Sequence, residues 1–181
     1  MKNVLAFIWE IVKIVLIALI IVVPVRYFLF QPFIVNGNSM EPNYSDGDYL
    51  IVDEISHRFR EPARGEVIIF QYPVDPSARH IKRIIGLPGE TLRINESGIE
   101  IVSDGRSMIL DEIEYLVDTF FSEEMEISLG DDEFFVMGDN RLVSFDSRRW
   151  GALPRDHILG RVLIRAFPLN RAEIMRVPVY Q

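Results

Sequence analysis

Glu66-Val-Ile-Ile-Phe-Gln-Tyr72 and His80-Ile-Lys-Arg-Ile-Ile-Gly-Leu-Pro-Gly89 are two short apolar runs, the second closed by a turn sequence, and their reading decides the fold. Both are rich in β-branched and aromatic residues and too short for a buried helix, which predicts strands. Working outward, Tyr49-Leu-Ile-Val-Asp-Glu-Ile55, Gly98-Ile-Glu-Ile-Val102, Glu133-Phe-Phe-Val-Met137 and Gly160-Arg-Val-Leu-Ile-Arg-Ala-Phe167 have the same texture. Ser45-Asp-Gly-Asp48, Leu87-Pro-Gly89 and Met137-Gly-Asp-Asn140 supply turn signals between them. Many short strands with no long helical period predict a mainly β domain with antiparallel pairing. The stretch from about Ser97 to Asp132 is acidic and weakly patterned, so it reads as a smaller β excursion, with a short helix over Asp111 to Phe120 left open.

The N-terminus has another character. Ile14 to Val25 carries no charge, and extension from Ile11 to Phe30 gives about the 20 residues of a spanning helix, with Lys13 and Arg26 near its ends where long side chains snorkel. A cleaved secretory leader would be shorter and end in a small-x-small site, whereas this run continues into Arg26-Tyr-Phe-Leu-Phe-Gln-Pro-Phe33. An uncleaved single transmembrane helix is expected, the alternative being a buried core helix. Lys2, Lys13 and the amino terminus on one side against Arg26 on the other lean toward a cytoplasmic N-terminus.

The 181-residue chain carries a net charge of -8, which argues against nucleic acid as a partner. It contains no cysteine, so neither a disulfide framework nor thiol chemistry is available. His57, His80 and His157 are too dispersed for a metal cluster, and neither a metal nor a cofactor is expected.

Ser39 lies in Gly37-Asn-Ser-Met-Glu-Pro42, a few residues beyond the apolar run. Serine in such a turn also has local hydrogen-bonding reasons to be there. Lys82 sits mid-strand, with alternation placing Ile81, Arg83 and Ile85 on one face and Lys82, Ile84 and Gly86 on the other. If Ile84 faces the core, Lys82 is drawn into low dielectric and toward its neutral, basic form; an exposed edge-strand lysine is the plainer reading. The loop Met137-Gly-Asp-Asn-Arg-Leu-Val-Ser-Phe-Asp-Ser-Arg-Arg-Trp-Gly151 packs acids, arginines and hydroxyls closely enough to brace one another, or to form an ordinary solvated loop.

Together these pieces carry a resemblance. Ser39-Met with Pro42, Gly47-Asp-Tyr-Leu-Ile-Val52, Arg64-Gly-Glu-Val-Ile-Ile-Phe70, Lys82-Arg-Ile-Ile-Gly-Leu-Pro-Gly-Glu90, and Gly138-Asp-Asn-Arg141 with Ser144, Asp146, Ser147 and Arg148 resemble, in order, the motif set of bacterial type I signal peptidases. The resemblance implies a membrane serine endopeptidase of the plasma membrane, single-pass, with its catalytic domain on the extracytoplasmic side. Its partners would be the lipid bilayer and signal-peptide-bearing preproteins, cleaved after small residues of the Ala-x-Ala type. It implies Ser39 as nucleophile and Lys82 as general base through an acyl-enzyme, with Ser144 orienting the lysine and Asp146 and Arg148 bracing the loop as an ion pair. Asp139 and Asn140 would add support. The Ser39 backbone N–H would supply one oxyanion donor. Gly37 stands where some members carry a serine that supplies the second, and Pro42-Asn-Tyr44 departs from the commoner Pro-Thr-Leu.

The implied organisation is an anchor segment over 1–31 with its span at about 11–30, a catalytic β domain from 32–96 and 133–181, and the excursion at 97–132. Phe33, Val35 and Met40 are candidate substrate-binding residues, with core or membrane-contact packing as the alternative. His80 reads as a surface residue or a support for the site. Trp150 and Tyr49 read as interface anchors or core. Two other functions compete: a self-cleaving domain like those of SOS-response repressors, against which the anchor argues, and a tethered peptide-binding β domain, which would have no use for a buried lysine facing a serine.

Overall fold

The structure, a computed structural model, describes residues 2–28, 30–116, 124–178 and 180. A helix α1 (Lys2–Phe28) leads after one residue into β1 (Phe30–Ile34). Then follow β2 (Tyr49–Asp53), β3 (Val67–Gln71), β4 (Arg79–Gly86), β5 (Thr91–Asn95), β6 (Gly98–Ser103), β7 (Arg106–Ile109), β8 (Met125–Ser128) and β9 (Glu133–Met137). A one-turn helix α2 (Ser147–Trp150), β10 (Leu153–Pro154), β11 (Ile158–Phe167) and β12 (Glu173–Ile174) complete the chain. Among the described residues these strands form two antiparallel sheets. The larger runs β1-β2-β11-β3-β4-β9-β10 with β12 on β11, and the smaller runs β7-β6-β5-β8.

The side chains of α1 at Val4 and from Ala6 to Ile20 are exposed, so the β structure does not cover them. Among the described residues no helix is long and apolar enough to cross a membrane. Within 111–120, Glu112 to Leu116 form a turn closed by Tyr115 N–H and Leu116 N–H on the Glu112 carbonyl; 117–120 lie outside the described residues.

β4 is an interior strand, and every residue from Ile81 to Gly86 is buried. Lys82 is therefore buried rather than exposed. Its cross-strand partner is Ile68, and the pair faces the cluster of Ile68, Phe70, Ile84, Phe134, Val136 and Leu153. Ile81 packs with Val35, Met40, Leu50 and Val67, and Ile85 with Leu92, Ile99, Phe135 and Met137 beneath the small sheet. Trp150 packs on Phe70 and Tyr72, while Tyr49 lies partly exposed at the end of β2. Each fully buried large apolar side chain contributes about 1.5–3 kcal/mol, so β4 is held from three clusters at once.

β4 also changes partners along its length. Among the described residues Arg79 to Lys82 pair only with β3, whereas β9 joins from Arg83 onward. The free edge of its first half is left for the site.

Candidate active site

Ser39 stands in the β1–β2 connection. Val35 N–H donates to the Asp48 carbonyl and Gly47 N–H to the Val35 carbonyl, which close the base of this loop. Gly37 takes φ +85°, a left-handed conformation that penalises a side chain, and its N–H donates to Asp46 Oδ1 at 2.7 Å. The chain then turns through Met40 to Tyr44, burying Met40 and presenting Ser39 at the surface of the core.

Lys82 is 4% exposed. Its Nζ donates to Ser39 Oγ at 2.7 Å and to the Ile81 carbonyl at 2.9 Å. Burial pulls its pKa down to about 8 from 10.5, against an opposing pull from the Asp146 and Asp139 carboxylates. A neutral amine in hydrogen-bond contact with a hydroxyl can accept its proton.

The loop after β9 closes around this pair. Asn140 N–H donates to the Ser39 carbonyl at 3.0 Å, tying the loop to the serine backbone. Arg83, on the strand beside Lys82, makes a two-pronged bond to Asp139, at 2.8 Å from Nε and 2.6 Å from Nη2, and donates to the Gly65 carbonyl. Asn43 donates to the same carboxylate at 2.9 Å. Asp146 caps α2, accepts from Gly138 N–H, and is gripped by Arg148 at 2.8 and 2.9 Å. Burial works to raise the Asp146 pKa, but the Arg148 and Gly138 hydrogen bonds outweigh it and hold the carboxyl below its ordinary range. Ser147 Oγ accepts from Val136 N–H and fixes the end of β9. Among the described residues Ser144 Oγ is buried without a partner in hydrogen-bond geometry, though it lies near enough to Asp146 to help keep that carboxyl low.

Gly138 is where the loop comes closest. A Cβ there would collide with the Ser39 carbonyl oxygen and with Ser144 Oγ. One of these is backbone and cannot swing away. Gly138→Ala is expected to cost about 1–3 kcal/mol in urea unfolding and to displace Ser39, lowering activity at least tenfold. An alanine variant as active as the parent would show that the loop yields freely.

A cleft of about 740 Å³ opens over Ser39 and Lys82. Its lining includes Phe33, Asn36, Asn38, Arg79, His80 and Phe145. Val35 and Met40 do not line it; both are buried with Leu50 and Ile81 in the core. His80 stacks on Tyr72 with centroids 5.1 Å apart, and burial followed by the Lys82 charge lowers its pKa. Ser39, Lys82, Asp139, Asn140, Ser144, Asp146 and Arg148 thus gather around one point. Sequence reading missed Arg83, Asn43, Asn38 and Arg79. For Arg83 a signal existed, because a second cation in an interior apolar strand demands a carboxylate.

Residues 8–167 match the family model described as signal peptidase, peptidase S26. The chain belongs to the signal peptidase family. It is 35% identical over 172 residues to "Probable signal peptidase I-2" of Synechocystis sp., covering 92% of this chain and 76% of that one. To "Signal peptidase I" of Leptolyngbya laminosa it is 34% identical over 168 residues, covering 88% and 80%. To "Signal peptidase I T" of Bacillus subtilis it is 32% identical over 164 residues, covering 87% and 84%. The protein is accordingly an enzyme, a hydrolase of the signal peptidase I class, and cleavage of signal peptides is the activity of its family.

Proposed function

We propose that the protein is a membrane-anchored endopeptidase that cuts signal peptides from exported preproteins with Ser39 as nucleophile and Lys82 as general base. The observation that carries this reading is a buried amine, its pKa lowered by desolvation, 2.7 Å from a serine hydroxyl at the floor of the cleft. Neutral Lys82 takes the Ser39 proton as Oγ attacks the scissile carbonyl, then returns it to the leaving amine. Water, activated by the same amine, releases the acyl group. The Ser39 N–H is one oxyanion donor. The Gly37 N–H is already engaged by Asp46, so the second donor must come from elsewhere. The unsatisfied Ser144 hydroxyl is suited to accept a Lys82 N–H and aim the lone pair of the amine at Ser39.

The preprotein adds as a strand to the free edge of β4 at Arg79–Lys82, along the cleft between this edge and residues 33–39, and is cut at an Ala-x-Ala site. The anchor reading is supported by the charge-free run Ile14 to Val25 and by the exposure of the described α1 side chains, which need an apolar solvent. It places the helix in the plasma membrane, with the catalytic β domain on the extracytoplasmic face.

The test is incubation of the purified chain with a preprotein bearing an Ala-x-Ala site, followed by sequencing of the new N-terminus. Cleavage after the second alanine by the wild type, and none by Ser39→Ala, is expected. The kcat/KM should fall tenfold per pH unit below about 8, because the reactive lysine is the deprotonated form. A rate that stays level down to pH 6 would exclude Lys82 as the base.

A further inference from the structure

The turn at 112–116, on the way back from β7, sends two buried side chains against Arg141 and Arg83 beside the site, and neither is explained by the dyad itself. Glu112 is met by a bidentate Arg141, Nη1 to Oε2 at 2.8 Å and Nη2 to Oε1 at 2.5 Å. Tyr115 OH donates to the same Oε1 at 2.7 Å. The third arm of Arg141, Nε, donates to the Gly138 carbonyl at 3.0 Å. Glu112 is 9% exposed and Arg141 5%. Tyr115 in turn covers Arg83, whose guanidinium carbon lies 4.2 Å from the ring centroid, and the Tyr115 carbonyl accepts from Asn43, which also holds Asp139.

These contacts reach the two members of the dyad by separate routes. On one side Glu112 holds Arg141, Arg141 holds the Gly138 carbonyl, and the loop from Gly138 to Asn140 grips the Ser39 carbonyl through Asn140 N–H. On the other side Tyr115 packs on Arg83, the immediate neighbour of Lys82 on β4. A buried ion pair of this kind adds little net stability over apolar residues of the same shape, because desolvation offsets its attraction. What it does supply is one fixed geometry, with the Glu112 oxygens and all three guanidinium nitrogens of Arg141 engaged.

We propose that Glu112, Tyr115 and Arg141 are positioning residues for the cleavage reaction, setting the Ser39 backbone against Lys82 from the side of the small sheet. This rests on Ser39 and Lys82 being the dyad. None of the three lines the cleft, so none is a catalytic residue. Their effect on the rate passes through the separation of Oγ and Nζ, where an error of about 1 Å costs on the order of a hundredfold.

The test is the paired replacement Glu112→Leu/Arg141→Met in the full chain, assayed for kcat and KM on the Ala-x-Ala preprotein and for thermal unfolding. The expected result is a folded protein melting within a few degrees of the wild type, with kcat lowered about 10- to 100-fold and KM within twofold. A purely structural pair would lower the melting temperature and leave the kcat of the folded protein alone. A folded double variant with kcat within twofold of wild type overturns the proposal. If the double variant does not fold, Tyr115→Phe decides, with Tyr180→Phe as its control: it keeps the ring over Arg83 and removes the bond to Glu112, along with a longer one accepted from Tyr180 OH at 3.2 Å that the control removes alone. A several-fold loss in kcat at constant KM supports the proposal, and an unchanged kcat overturns it. Ser39→Ala assayed alongside separates the two levels, since cleavage persisting there would refute the dyad itself rather than the clamp.

Discussion

Lys82→Met is expected to yield a folded protein that no longer cleaves preprotein and is more stable than the wild type at neutral pH by up to about 3 kcal/mol, the loss of the Nζ hydrogen bonds to Ser39 Oγ and the Ile81 carbonyl setting the lower figure. In the proposed mechanism the amine is the base, so its loss removes the proton transfer that would activate Ser39. The gain in stability comes from the same burial. The folded-state pKa is about 8 and the ordinary one 10.5, so below pH 8 folding must carry a charged ammonium into a desolvated site. Between the two values the unfolded chain binds a proton that the folded protein has already released, and stability rises with pH. Above 10.5 both states are neutral and the penalty vanishes. The cost is therefore largest below pH 8, which is where methionine relieves it. Denaturation of both proteins from pH 6 to 10.5 should show their difference shrinking as pH rises. A variant less stable than wild type at pH 7, or a difference that does not change with pH, would contradict this account.

Asp139→Asn is expected to cost about 3–5 kcal/mol, and thus to lower the melting temperature by roughly 10 °C for a chain of this size. Arg83 is 4% exposed and gives two hydrogen bonds to the Asp139 carboxylate. A carboxamide keeps one acceptor and turns an N–H₂ toward the guanidinium, leaving a buried cation without its counter-charge. Adding Arg83→Met to Asp139→Asn should recover most of the loss, because the charge to be neutralised is gone. Failure of the second change to recover stability would mean that the carboxylate matters through Asn43 and the loop rather than through Arg83.

The strands that could be read in advance were those whose apolar runs stood between clear turns. Val67–Gln71 and the core of Arg79–Gly86 are of this kind, and so is Glu133–Met137. Phe30–Ile34 escaped notice because its apolar residues continue those of the helix before it, and only the backbone pairing with Tyr49–Asp53 separates them. Thr91–Asn95 and Met125–Ser128 alternate too briefly to announce a sheet, yet they pair from Thr91 with Ser128 to Ile94 with Met125. In the site, Ser39, Lys82, Asp139, Ser144, Asp146 and Arg148 were named from motif order, and all lie close together. The partner of Asp139 was not legible, since Arg83 and Asp139 are 56 residues apart and neither has a local pattern that points to the other.

By itself the sequence determined the mainly β class and the apolar N-terminal run. These are properties of short windows, where hydrophobic period and residue chemistry act locally. Only the tertiary structure decided that Lys82 is buried rather than exposed, that the first half of β4 keeps a free edge beside the cleft, and that Val35 and Met40 belong to the core. It also decided that Glu112 meets Arg141 across 29 positions. Burial and long-range pairing depend on which distant segments are brought into contact, and that is set by the packing of whole sheets rather than by any stretch of neighbouring residues.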